Sequence, residues 1–300
     1  MITIFSVFHS ENSKNLLERN YDLVQKLNPG IKFEWILADN ASPMGQNVSA
    51  NLEKFKVVPG LKRDDSYPSW ARGSYHHSSA LNGILPHIKT RFALSLDNDF
   101  FIIRKNWIRD IVGYMEKNGI AIAGSPWYPK DFKKIRYFPA HHCLFIDLEK
   151  IKQQTLDFRP DYDFSPKSKF SRINKKVCHF LFGERWLVGS SKDTGFKIFK
   201  KYREVPGIRS ECFAPFFDYK PGILSGFLPD AFSLIPQKNG YISERKFSDC
   251  GYFDANREGW EEFFWQGKPF GFHMKGVYKT DSSELKSKFE ALETALRNLA

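Results

Sequence analysis

Apolar residues along the chain fall into short runs separated by polar turn residues, and the runs alternate between two spacings. Ile2–Phe8 is almost continuously apolar, the pattern of a strand buried on both faces. Ser13–Leu27 then places apolar residues at helical spacing. Ser10 or Asn12 suits its N-cap, and Asn28-Pro29-Gly30 suits its stop. Phe33–Ala38 predicts a second strand running into Asp39-Asn40-Ala41-Ser42, and Lys54–Val58 a short third. Ser74–Ile88 predicts a helix, Arg91–Leu96 a strand, Trp107–Lys117 a helix and Ile120–Ala123 a strand. Such alternation builds βαβ units. It predicts an α/β chain with a mostly parallel sheet flanked by helices on both faces. Sheets of this kind bind ligands at the carboxyl ends of their strands.

The second half is less periodic. Ala140–Asp147 predicts a strand followed by a short helix, and Ser191–Tyr202 a helix opening near Asp193-Thr194-Gly195. Residues 157–176 form a polar, aromatic and basic stretch that suits a loop. Residues 204–279 are rich in Pro, Gly and aromatics, which predicts loops and short strands around a site. In Ser282–Leu299 the residues Leu285, Phe289, Leu292, Leu296 and Leu299 are spaced by steps of four and three. That stripe predicts an amphipathic terminal helix, packed on its own domain or used by a homodimer or a membrane surface.

Composition narrows the partners. The chain has 300 residues, enough for one large domain or two small ones, and with 42% hydrophobic residues and no low-complexity tract a substantial core is expected. The net charge of +11 suits either solubility with non-specific attraction to anions or, more specifically, an anionic partner such as a diphosphate donor, an anionic glycan or a membrane surface. Basic residues are densest at 130–136, 167–176 and 197–203, with no zinc-knuckle spacing and no arginine-rich arm, so nucleic acid is not an expected partner. Cys143, Cys178, Cys212 and Cys250 lie far apart, which predicts reduced thiols in a cytoplasmic protein. The N-terminus has no basic segment before its apolar run, and no stretch is long enough to span a bilayer. Membrane contact, if any, is expected to be peripheral, at the inner face.

The chemistry concentrates at Asp97-Asn98-Asp99, where an apolar strand ends in two carboxylates spaced i and i+2. Residues so spaced share a face, and a kink after the strand lets both oxygens converge on one cation. Hard oxygen ligands at a sheet edge suit Mg²⁺ or Mn²⁺ carrying a diphosphate. The plainer alternative is a loop that Asp and Asn merely stabilise.

Four segments taken in order resemble the family 2-like glycosyltransferases of the GT-A fold. They are Asp39-Asn40-Ala41-Ser42, Ala80-Leu81-Asn82-Gly83-Ile84, Leu96-Asp97-Asn98-Asp99 and Asp193-Thr194-Gly195. The likeness covers residues 2–125 well and 140–203 loosely. It implies one catalytic domain over 1–280, with a nucleotide-binding half at 1–125 and an acceptor-binding half at 126–280, followed by the helix at 281–300.

The implied activity is transfer of a sugar from a nucleotide-diphosphate donor to a hydroxyl of a glycan or lipid-linked acceptor, an anionic one if the basic loop at 167–176 takes part. The implied roles are Asp39 on the base or ribose, with a plain turn-former as its alternative, Asn82 at the donor and Asp99 on the metal. Arg72, in the stretch before the helix of Asn82, is either a contact to the donor diphosphate or a surface arginine. Asp97 would bind ribose or the ion through water. Asp193 would be the general base of an inverting reaction. The family commonly has paired acids at that place. This chain has Glu184 and then Asp193, so Glu184 stands as a second candidate base. His273, in Phe270-Gly-Phe-His-Met-Lys275, resembles the segment that completes the metal and diphosphate site, with Lys275 on phosphate. The alternative for His273 is an imidazole packed among aromatics, and for Asp193 a helix N-cap. A His76-His77 pair reads as packing, whereas His141-His142 sits where it can border an acceptor pocket. Trp127, Tyr128 and Trp186 are candidates for stacking sugar rings, with core packing as the alternative for each. Two other readings remain open at this level: a non-catalytic nucleotide- or sugar-binding protein, and a retaining transferase.

Overall fold

Strand β1 (Ile2–Phe8) is buried along its whole length, and its side chains divide between two cores. Ile2, Ile4 and Phe8 enter one and Phe5 and Val7 the other, as the two-residue period of a strand requires. The computed structural model describes residues 1–42, 52–129, 136–162, 191–217, 242–275, 277, 282–297 and 299.

The strands β2 (Phe33–Asp39), β3 (Lys56–Pro59), β4 (Phe92–Leu96), β6 (Ile120–Gly124), β7 (Cys143–Asp147) and β8 (Arg209–Cys212) complete a seven-stranded sheet. Its order is β3-β2-β1-β4-β7-β6-β8. β1 runs parallel to β2 and β4, β2 to β3, and β6 to β8. Only β7 runs against its neighbours β4 and β6. The structure is therefore a mixed α/β fold with a mostly parallel sheet. Helices α1 (Glu11–Leu27) and α3 (Trp107–Asn118) cover the face of Ile2 and Ile4. Helices α2 (Ser69–Ile84) and α4 (Phe196–Tyr202) cover the opposite face.

Two helix starts differ from the periodicity by five residues each. Helix α2 begins at Ser69, earlier than Ser74, because Pro68 occupies the N-cap at φ −54°, a value that leads into a helix. Helix α4 begins at Phe196 rather than Ser191. Gly195, at φ +79°, takes a left-handed turn just before it, a conformation that costs glycine little.

Among the described residues of 204–279 are the short strands that the sequence predicts, and they build a second sheet. β9 (Ala214–Pro215), β10 (Glu261–Trp265) and β11 (Lys268–His273) join β5 (Phe100–Ile102) in a second, antiparallel sheet of order β5-β11-β10-β9. β5 follows directly on Asp97-Asn98-Asp99. The chain thus leaves one sheet and enters the other within that turn.

Helix α5 (Ser282–Arg297) packs on the domain through Leu292 and Ala295, with Leu299 just beyond it. Arg19 of α1 donates to Glu293 at 2.5 Å and stacks on Phe289 at 4.9 Å. The apolar stripe is thus occupied within the chain, which leaves the homodimer and membrane-surface readings of this helix without support. Among the described residues, no helix is long and apolar enough to cross a membrane.

Candidate active site

The Asp-Asn-Asp turn is fixed from three directions. Asn98 Nδ2 donates to Val7 O at the end of β1, at 2.9 Å. The Asp97 amide donates to His142 O at 3.0 Å, just before β7. Met274 N, just past β11, donates to Asp99 O at 2.9 Å. The middle residue therefore holds the turn, while the carboxylates on either side line a cleft of about 370 Å³.

From β11, His273 brings its Nε2 to 3.2 Å from Asp99 Oδ1, and its Nδ1 lies 2.9 Å from Glu261 Oε2 on β10. Glu261 thus sets the ring's orientation and leaves Nε2 facing Asp99, an arrangement common behind metal-bound imidazoles. Burial works against the imidazolium, but Asp99 and Glu261 together hold the His273 pKa well above its ordinary value. His273 also stacks on His142 at 5.1 Å, so it belongs both to the aromatic layer and to the acidic cluster. One ligand atom each from Asp97, Asp99 and His273 lie within 4.8 Å of one another. Two carboxylates and one imidazole fit Mn²⁺. Mg²⁺ prefers oxygen ligands and keeps its waters, so it suits this set less well.

Asp97 lies between this cluster and a pair of histidines, with His77 Nε2 at 3.6 Å and His141 Nε2 at 3.8 Å. Burial opposes its ionisation. The charges of His141, His77 and His273 outweigh that and hold the Asp97 carboxyl well below the usual carboxylate range. Lys275 enters the cleft with its ammonium 3.7 Å from Glu261 and 5.5 Å over the Trp127 ring.

Asp193, buried in the loop before α4, lines the same cleft. It is not the helix cap, since Gly195 holds that position and no side chain caps α4. Its Oδ1 accepts from Thr194 N at 2.8 Å and from the Tyr162 hydroxyl. Ser74 Oγ lies 3.1 Å from the same phenol oxygen. Burial and the charge of Asp193 push the Tyr162 phenol well up, so it remains a donor. The guanidinium of Arg136 stacks on Phe196 at 4.9 Å and is attracted to Asp193. Burial brings its pKa down to about 10, high enough to stay charged.

Asp39, Arg72 and Asn82 do not line this cleft. Asp39 closes a turn after β2, accepting from Ala41 N at 2.9 Å, Ser42 N at 3.0 Å and Ser42 Oγ at 2.5 Å. Arg72 clamps the segment before α2, donating to Tyr67 O at 2.6 Å and Asp65 O at 2.9 Å. Asn82 bonds Asp157 and Phe158 N, each at 2.9 Å, and so ties α2 to the 157–158 segment. Glu184, Trp186, the basic loop 167–176 and Cys178 lie outside the described residues.

Sequence reasoning missed Glu261, Tyr162, Ser74 and Arg136, and it read His77 as packing. The one available signal was a pair of acids, Glu261-Glu262, inside an otherwise aromatic strand.

No protein-family model and no curated protein matches the chain. Among solved structures, similarity extends to the mannosyltransferase PcManGT from Pyrobaculum calidifontis in complex with GDP-Man and Mn²⁺. That match has 12% identity and a TM-score of 0.34, covering 50% of this chain and 46% of that one. TarS of S. aureus in complex with UDP-GlcNAc matches at 14% identity and a TM-score of 0.36, over 52% of this chain and 48% of that one. The galactosyltransferase LgtC, in complex with donor and acceptor sugar analogs, matches at 13% identity and a TM-score of 0.40, over 70% of this chain and 73% of that one. The chain thus spans less than half the length of the first two.

Proposed function

We propose that this chain is a metal-dependent glycosyltransferase of the GT-A type. It would move a sugar from a nucleotide-diphosphate donor to a hydroxyl of a glycan or glycolipid, with Asp193 as the base of an inverting reaction. The observation that carries the reading is a single cleft lined together by Asp97, Asp99, His273, Lys275 and Asp193.

Asp97, Asp99 and His273 would hold a Mn²⁺ or Mg²⁺ ion, the mixed donor set favouring Mn²⁺. When bound, the ion neutralises charge on the leaving diphosphate. Lys275 adds a mobile point charge for the same oxygens. Asp39, at the carboxyl end of β2, would meet the base or ribose by sharing the oxygens that now close its turn. The acceptor hydroxyl attacks the anomeric carbon as the bond from that carbon to the diphosphate oxygen breaks. The nucleoside diphosphate leaves with the electron pair, and the hydroxyl proton passes to Asp193. Tyr162 and Thr194 N orient the Asp193 carboxylate, and Arg136 favours its ionised form.

The test is calorimetric titration of UDP, GDP, CMP and dTDP with and without Mn²⁺. One nucleotide should bind only with the metal, and Asp99→Ala should lose that binding while remaining folded. Wild-type affinity in Asp99→Ala would remove the metal assignment. Asp193→Asn should keep donor binding and lose about 10²–10⁴-fold in transfer. Retained transfer would move the base to Glu184 or indicate a retaining path. Binding without any transfer or donor hydrolysis would favour a non-catalytic sugar-nucleotide binder.

A further inference from the structure

His77 on α2, Asp97 after β4 and His141 before β7 converge from three separate elements. One ligand atom from each lies within 4.8 Å of the others. His77 Nε2 is buried and makes no hydrogen bond, although it points at Asp97 Oδ1 from 3.6 Å. His141 Nε2 faces the other oxygen, Oδ2, from 3.8 Å. Both separations exceed the reach of a hydrogen bond. Ligands bonded at about 2.1 Å to a tetrahedral zinc stand about 3.4 Å apart, so donor atoms that already lie within 4.8 Å of one another need only a small closure to share an ion.

We infer that His77, Asp97 and His141 form a second metal site that takes Zn²⁺, beside the Asp97, Asp99 and His273 cluster. The two donor sets differ in kind. Two imidazoles and one carboxylate favour Zn²⁺ over oxygen-seeking Mg²⁺ or Mn²⁺, whereas the neighbouring set is carboxylate-rich. Asp97 belongs to both sets, and its carboxylate has enough lone pairs to bridge two ions. All three residues line the cleft, so the fourth position of a tetrahedral ion opens onto it. A zinc with three protein ligands and one open position carries water or a substrate oxygen.

Ion counting tests this without any sugar nucleotide, so the result does not depend on whether transfer is observed. The full chain is stripped with chelator, titrated with Zn²⁺ against a chromophoric competitor, and titrated separately with Co²⁺ to record its absorption bands. The wild-type chain should hold about two ions, one of them giving the strong visible bands of tetrahedral cobalt. His77→Gln and His141→Gln should each lose one equivalent and those bands. Asp99→Asn should lose one equivalent and keep the bands. Near-ultraviolet circular dichroism establishes folding, and the partly exposed His77 provides a variant that does not disturb the core. Unchanged Zn²⁺ stoichiometry and unchanged bands in folded His77→Gln would overturn the site. So would a single ion that Asp99→Asn removes.

Discussion

Glu262 carries a carboxyl where water does not reach, with no exposed surface at all. Its Oε2 accepts from Phe247 N at 2.7 Å. Burial pushes its pKa from 4.5 up to about 7, against the hydrogen bonds from Phe247 and Asn256 that favour the ionised form. Between those values the folded chain binds more protons than the unfolded one, so stability falls as pH rises through the window. The loss is on the order of 3 kcal/mol. Glu262→Gln should abolish that slope, which urea unfolding at about pH 5 and about pH 8 would reveal. An unaltered slope would assign the titration to another group. At this scale the sequence was legible where chemistry coincides with a strand end. Asp97 and Asp99 stand out because polar residues interrupt an apolar run, whereas Asp193, His273 and Lys275 are singled out only by the family resemblance. Tyr162 and Arg136 were not legible, because their meeting with Asp193 is made by irregular segments that carry no period.

The elements read from periodicity are those whose burial is regular. β1 is buried on both faces, and α1 shows one apolar face, so each announces itself. The second sheet did not. β5 is three residues long, and its partner β11 follows some 170 residues later, so neither pattern alone implies the other. Within β10, burial runs unbroken through Glu261 and Glu262, which erases the alternation that marks a strand. Gly271 shows how tightly this sheet closes. A Cβ there would stand 2.7 Å from Phe101 O and 2.9 Å from the Phe100 ring. Backbone rather than a flexible side chain is in the way, so Gly271→Ala should force β11 off β5. Thermal melts should show a loss of about 1–3 kcal/mol, and binding of Mn²⁺ should weaken because His273 moves with the strand. Wild-type stability in that variant would mean that the two strands separate at little cost.

Across the whole molecule, one helix from the end of the chain braces its beginning. Leu292 of α5 is fully buried in the core that also takes Leu16 and Val24 of α1. Leu292→Ala should destabilise the fold by about 2–5 kcal/mol while leaving ion stoichiometry unaltered, as denaturant unfolding and Zn²⁺ titration together would show. A neutral result would mean that α5 is an appendage. The turn at Asp97-Asn98-Asp99 has a consequence on the same scale. It is the seam where the parallel and antiparallel sheets meet, and it is stitched to β1, β7 and β11 at once. An ion seated there acts as a rivet through both layers. Occupancy should then slow amide exchange deep inside each sheet, so that the chemistry of the cleft and the rigidity of the frame rise and fall together.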